Sequence, residues 1–173
     1  MNVPQSTMDR RGFLATVAAA GAAALASTRP AAGAAAAKRN IALGMDNFSV
    51  RAMEWKAPRL IDHAAQLGLD TLMISDLDAY ESLDESYLKK VKQQADAKGI
   101  QLHAGTGGVC PTSPRFIKKF GTAEEHMALL IRVAQTLGSP VARCYLGTAE
   151  DRQGEGGIYR HIESTVELFK KVK

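Results

Sequence analysis

The chain has 173 residues, 46% of them hydrophobic and 23% charged, with a formal net charge of +4. That length suits one domain with a sizeable core, and two cysteines are too few for a disulfide scaffold. The Lys118-Lys119 and Lys170-Lys171 pairs are isolated solvated faces rather than a basic stripe, so a nucleic-acid partner is not expected.

Residues 1–37 read as an export leader, separate from the fold. Arg10 and Arg11 open it, Phe13 to Ala26 is an uncharged run of 14 residues, and an alanine-rich stretch follows to Ala37. The run is shorter than the ~20 residues that span a bilayer, so a cleavable signal is expected and a stable membrane anchor is not. Ala24-Leu25-Ala26 is one small-x-small cleavage candidate. The arginine pair followed by Gly-Phe-Leu resembles the twin-arginine export signal, with Asp9 where that signal has serine or threonine; an ordinary secretory leader is the alternative. Either one implies hand-over to an export machinery and a periplasmic or extracellular protein. The leader holds three arginines and one aspartate, so residues 38–173 carry only +2.

The first strand is expected at Asn40 to Met45, followed by the polar connection DNFSVRAMEWK. A helix starts near Pro58, where proline suits the first turn. It runs through Leu60, Ile61, Ala64 and Leu67 at helical spacing, and Gly68 ends it. Leu69 to Ser75 is the second strand. After DLDAYE, Ser82 to Glu85 reads as a capping box opening a helix that buries Leu88, Val91 and Ala95 and stops at Gly99. The third strand, Ile100 to Ala104, alternates apolar residues with Gln101 and His103, and Thr106 to Pro114 reads as a loop. Thr122 to Glu125 is a second capping box; Ala123, Met127, Leu130, Ala134 and Leu137 follow at steps of four, three, four and three. Gly138 and Pro140 stop that helix, Val141 to Leu146 is the fourth strand, and Ile158, Ile162, Val166 and Phe169 mark a last helix. Both cysteines, Cys110 in a loop and Cys144 in a strand, are read as free thiols.

Four strand–helix alternations, with glycines at 68, 99 and 138 spaced by 31 and 39 residues, predict an α/β fold with a parallel sheet. Helix-to-strand turns are minimal, whereas strand-to-helix connections are long and carry the unusual residues. In parallel α/β folds the ligand face lies at the carboxyl ends of the strands. The final helix has no closing glycine, asparagine or proline. Two architectures fit: an open flavodoxin-like sheet, or the first four units of an eight-unit barrel in a domain, 38–173, truncated at its C-terminus.

SDLDAYESLDESYLKKVKQQADAKGIQLHAGTGGVCPTS and GTAEEHMALLIRVAQTLGSPVARCYLG resemble the xylose-isomerase-like TIM-barrel family, which includes sugar phosphate isomerases and epimerases. The resemblance spans roughly residues 40–173. It implies a TIM (β/α)8 barrel, a small carbohydrate or sugar phosphate as ligand, and proton transfer next to a sugar carbonyl assisted by a divalent ion such as Mn, Mg or Zn. The family's metal ligands come from later strands, so they are not expected in this chain, which should be inactive alone. A non-catalytic carbohydrate-binding barrel of the cell envelope and an abasic-site endonuclease relative are the alternatives.

The candidate substrate-binding residues are Arg143, His103, Glu81 and Asp76. His103, on the polar face of the third strand, is either a catalytic helper to a sugar hydroxyl or a core histidine satisfied by a neighbour. Val141, Arg143 and Tyr145 share one strand face. A guanidinium there needs a partner, from Asp46, Asp76 or Glu81, or from an anionic substrate group. Gly105-Thr106-Gly107-Gly108 fails both nucleotide-loop patterns: no Gly-Lys-Ser/Thr follows, and Cys110 stands where a glycine belongs. Asp76 and Asp78 read as loop carboxylates that turn the chain. Glu124-Glu125-His126 reads as helix capping and solvated surface.

Overall fold

A computed structural model describes residues 41–172; the leader and its proposed cleavage site lie outside them. Four parallel strands form one sheet in the order β1-β2-β3-β4: Gly44–Asp46, Thr71–Ile74, Gln101–Gly108 and Ala142–Tyr145. Each is followed by a helix: α1 (Ala57–Gln66), α2 (Glu85–Ala97), α3 (Ala123–Leu137) and α4 (Gly157–Lys171).

The helices are amphipathic, and α1, α2 and α3 lay their apolar stripes on one face of the sheet. Leu72, Ile74, Leu102 and Ala104 are buried there against Leu60, Ile61, Leu88 and Leu130. Along β2 the burial alternates strictly, as expected when only one face is covered. The glycines that end the first three helices, Gly68, Gly99 and Gly138, all have φ between +65° and +69°, a conformation that side chains with a Cβ resist.

The structure departs from the sequence reading at several boundaries. β1 is only three residues long, because the carbonyl of Leu43 already bonds the Asp70 and Thr71 amides in the turn before β2. The connection after it is largely helical: 3-10 turns span Asn47–Met53 with a kink at Val50, and Asp46 caps them, its carboxylate accepting the Phe48 amide at 2.9 Å. The capping box at Ser82 does not form. Ser82 Oγ accepts the Asp84 amide and donates to the Asp84 carboxylate, which makes a local turn and delays α2 to Glu85. The box at Thr122 forms completely. β3 runs through Gly108, well into the supposed loop, with a register shift against β4 between Gly105 and Gly108. Glycine permits this: a Cβ on Gly105 would lie 2.9 Å from the Ser75 Cα.

Candidate functional site

At the carboxyl ends of the strands, side chains tie the first two units together. Asp46, the last residue of β1, accepts the Ser75 hydroxyl at 2.6 Å, and Asn47 Oδ1 accepts the Ser75 amide at 2.8 Å. Parallel register sets Asp46, Met73 and His103 in one row across the sheet, with Gly105 and Arg143 paired in the next row toward the rim. These rows lie on the face that the helices leave uncovered.

Above them is a cleft of about 250 Å³ whose walls include Asn47, Phe48, Arg51, Asp76, Gly107 and Tyr145. Phe48 is 55% exposed and Tyr145 42% exposed, so two aromatic surfaces border one polar cleft. The Arg51 guanidinium is 4.1 Å from the Phe48 ring centre, which orients both groups. Asn47, Arg51 and Asp76 also border an adjoining cleft of about 330 Å³ with Trp55. Lys119 pairs with Asp78 across the rim.

The sequence-derived residues fall unevenly on this geometry. Asp76 is in the cleft wall, where its carboxylate also accepts the Asp78 amide at 3.0 Å. His103 is half-buried on the uncovered face, opposite Met73 and one row below the rim. Glu81 is exposed and lies outside the cleft; its amide bonds the Tyr87 hydroxyl. Arg143 does not make the ion pair expected with Asp46, Asp76 or Glu81. Its guanidinium stacks 4.2 Å from the Tyr145 ring centre, and Nη1 is buried with no hydrogen-bond partner. Asp46 is already engaged by Ser75 and Phe48, and a planar guanidinium is held well by an aromatic face.

His126 is not surface. It is fully buried, with Nε2 2.7 Å from Thr106 Oγ1 and its ring against Phe120. It occupies an apolar slot of α3, so the helix's buried arc is wider than the stripe read from the sequence.

A second polar cluster went unseen in the sequence because Cys110, Thr112 and Ser113 lie 38 to 51 residues from their partners Asp151 and His161. Asp151, buried, accepts the Thr148 amide at 2.5 Å and the Ser113 hydroxyl at 3.0 Å through Oδ2, while Oδ1 faces His161 Nε2 at 3.5 Å. The other ring nitrogen meets Thr112 Oγ1 at 2.8 Å and Cys110 Sγ at 3.6 Å. The available signal was a histidine and a threonine, His161 and Thr165, at the buried positions of α4. The Thr148 amide above all holds the Asp151 carboxyl below its usual range; burial opposes this, and the Ser113 and Thr148 hydroxyls reinforce it. Burial pushes the Cys110 thiol up, but its bonds to Thr112 and His161 outweigh that and leave it below an ordinary thiol. The order thiol, imidazole, carboxylate is that of a nucleophilic relay. Yet Cys110 is fully buried, and Thr112 holds the imidazole more closely than the thiol does. The cluster therefore ties both rim loops to α4. Cys110 and Cys144 are both free thiols.

Among the described residues, no three histidine, cysteine, aspartate or glutamate side chains come together as a metal site. Asp46 and Asp76 instead hold Ser75 and backbone amides. The described residues thus do not fit the divalent ion that the family resemblance implies.

No family model and no curated protein matches the sequence. The fold does match a solved structure, D-psicose 3-epimerase from Clostridium cellulolyticum H10 with D-tagatose, at a TM-score of 0.50 and 21% identity. The match covers 76% of this chain and 48% of that one, so the chain spans about half the length of that enzyme. Four parallel strands alternating with helices, matched over that half, give this chain the fold of the first βα units of a TIM barrel.

Proposed function

We propose that residues 41–172 form the sugar-binding rim of a sugar isomerase/epimerase-like barrel, and that this chain alone binds a small carbohydrate without converting it. The observation that carries the reading is the convergence of Phe48 and Tyr145 with Asn47, Arg51 and Asp76 around one cleft. A sugar ring offers C–H faces for aromatic contact and a belt of hydroxyls for carboxylate, amide and guanidinium groups. At about 250 Å³ the cleft lies below the ~300–1,000 Å³ of sites for drug-sized ligands, so a monosaccharide is the better fit. The fold shared with a D-psicose 3-epimerase supports the same ligand class. Arg143, with a buried and unpartnered Nη1, and His103 extend the polar surface below the cleft.

In the whole barrel, the proton transfer beside the sugar carbonyl and the metal that assists it belong to residues outside this chain. We also infer that a signal peptide within residues 1–37 is cleaved on export, which N-terminal sequencing of the secreted protein tests. Titration calorimetry with D-tagatose, D-psicose and a ketohexose phosphate tests the sugar reading. Weak binding, about millimolar, is expected, and Phe48→Ala or Tyr145→Ala should weaken it at least ~10-fold. Binding that neither substitution changes, or no binding of any of these sugars, refutes the proposal.

A further inference from the structure

We propose that the sugar held in the first cleft is one unit of a larger ligand. The adjoining cleft of about 330 Å³ takes a second, uncharged sugar residue joined to it, so the chain binds a disaccharide or glycoside. This rests on the sugar reading above and names the ligand class within it.

The two clefts have a common wall, since Asn47, Arg51, Asp76 and Asp78 border both. From that wall the first runs to Gly107 and Tyr145 on the sheet. The second runs to Leu60 of α1 and to Ala79 beyond β2. Its walls come wholly from the β1–α1 connection, the start of α1 and the β2–α2 connection. Groups on the shared wall have bonding capacity to spare. Among the described residues, the Arg51 guanidinium rests on the Phe48 ring and makes no ion pair, and Asp76 uses only Oδ1, for the Asp78 amide.

The second cleft has the anatomy of a ligand site, an apolar lining with a few polar groups at its edge. Leu60 and Ala79 are buried in its lining, and Trp55 is half-buried beside them. The indole is held from two sides. The Arg59 guanidinium lies 5.1 Å from its ring centre, and the His63 ring meets it at 5.1 Å and 67°. Next to it stands Glu54, the one non-glycine residue with positive φ among those described, at +53°. Its amide donates to the Arg51 carbonyl at 3.1 Å and closes the 3-10 turns. A side chain with a Cβ resists that conformation. Glu54 adopts it with a carboxylate that has no hydrogen bond or ion pair among the described residues, which sets an unused acceptor on the cleft wall. Strain of this kind gathers at ligand clamps.

Charge balance selects an uncharged ligand. Arg51, Lys56 and Lys119 offset Glu54, Asp76 and Asp78. Lys119 pairs with Asp78, and Lys56 Nζ donates to the Asp78 carbonyl at 2.7 Å. No excess of either sign is left for a phosphate or an ammonium group. A polyhydroxyl ring uses both signs at once, donating to Glu54 and Asp76 and accepting from Arg51, with a C–H face against the indole.

Titration calorimetry on the 173-residue chain compares D-tagatose with lactulose, a neutral disaccharide that contains a ketohexose. Lactulose should bind at least ~10-fold more tightly. Trp55→Ala and Glu54→Gly should each remove that gain and leave D-tagatose binding unchanged. Glycine suits the backbone at residue 54, so Glu54→Gly should melt no lower than the wild type. Trp55 is the chain's single tryptophan, so its fluorescence reports on the second cleft without a variant. Lactulose should shift the emission and D-tagatose should not. Equal binding of the two sugars, an emission that lactulose leaves unmoved, or a gain that survives both substitutions overturns the inference while the sugar reading stands. A chain that binds neither sugar overturns both.

Discussion

His126, fully buried in α3, ties the stability of the fold to pH. Burial above all, and then the nearby Lys119 charge, hold its imidazole below the ordinary histidine range. The unfolded chain therefore takes up its proton first, at ~6.5. His126 contributes stability that is complete above that pH and is lost as pH falls through the lower folded-state value. The melting temperature should drop between pH 7.5 and pH 5, and His126→Gln should flatten that part of the profile. An unchanged slope in the variant would assign the effect to another group. The clue was in the sequence: residue 126 follows Ala123 by three and precedes Leu130 by four, the spacing of the buried arc. A histidine beside two glutamates nevertheless reads as surface until Thr106 is seen opposite it. Arg143 was legible as a strand guanidinium in need of a partner, but not as one stacked on Tyr145, since the fixed pleat brings residues two apart together only where their rotamers agree.

At the scale of elements, the two serine/threonine boxes behave differently for a local reason. Thr122 and Glu125 exchange hydrogen bonds across the first turn of α3, so Thr122→Ala should cost about 1 kcal/mol in denaturant unfolding. Ser82→Ala should cost less, because its hydroxyl serves a turn ahead of α2. The β4–α4 connection depends on Asp151. With its carboxyl held below the usual range, chiefly by the Thr148 amide, Asp151 contributes stability that is present above ~pH 4 and lost as pH falls through the depressed value. Asp151→Asn should speed hydrogen exchange across residues 148–161 while leaving β2 and α2 unchanged; equal acceleration everywhere would show a global rather than a local role. The contacts of Asp151 could not be read from the sequence, since Ser113 lies in the β3–α3 connection and His161 in α4. Helix ends, by contrast, were legible wherever a glycine supplied the left-handed turn, as at Gly138.

For the whole molecule, alternating periods of two and 3.6 residues were enough to anticipate a parallel α/β sheet in barrel order. They were not enough to bring Phe48 and Tyr145 together, because one follows β1 and the other ends β4, nearly a hundred residues later. The described residues also gather no metal-ligating trio. On the proposal that these four units supply only the sugar-binding rim, no isomerase or epimerase turnover is expected from this chain with added Mn²⁺ or Mg²⁺, measured by chromatographic separation of ketohexose products; detectable conversion would show that the reacting groups lie within these four units. The glycines late in β3 carry a different consequence. Gly105 is pinned by neighbouring backbone, whereas Cβ growth at Gly107 meets only the tip of the Ile117 side chain at the wall of the cleft. Gly107 is thus a position where bulk can be dialled in without disturbing the sheet, so the width of the entrance and the durability of the scaffold can drift independently over evolutionary time.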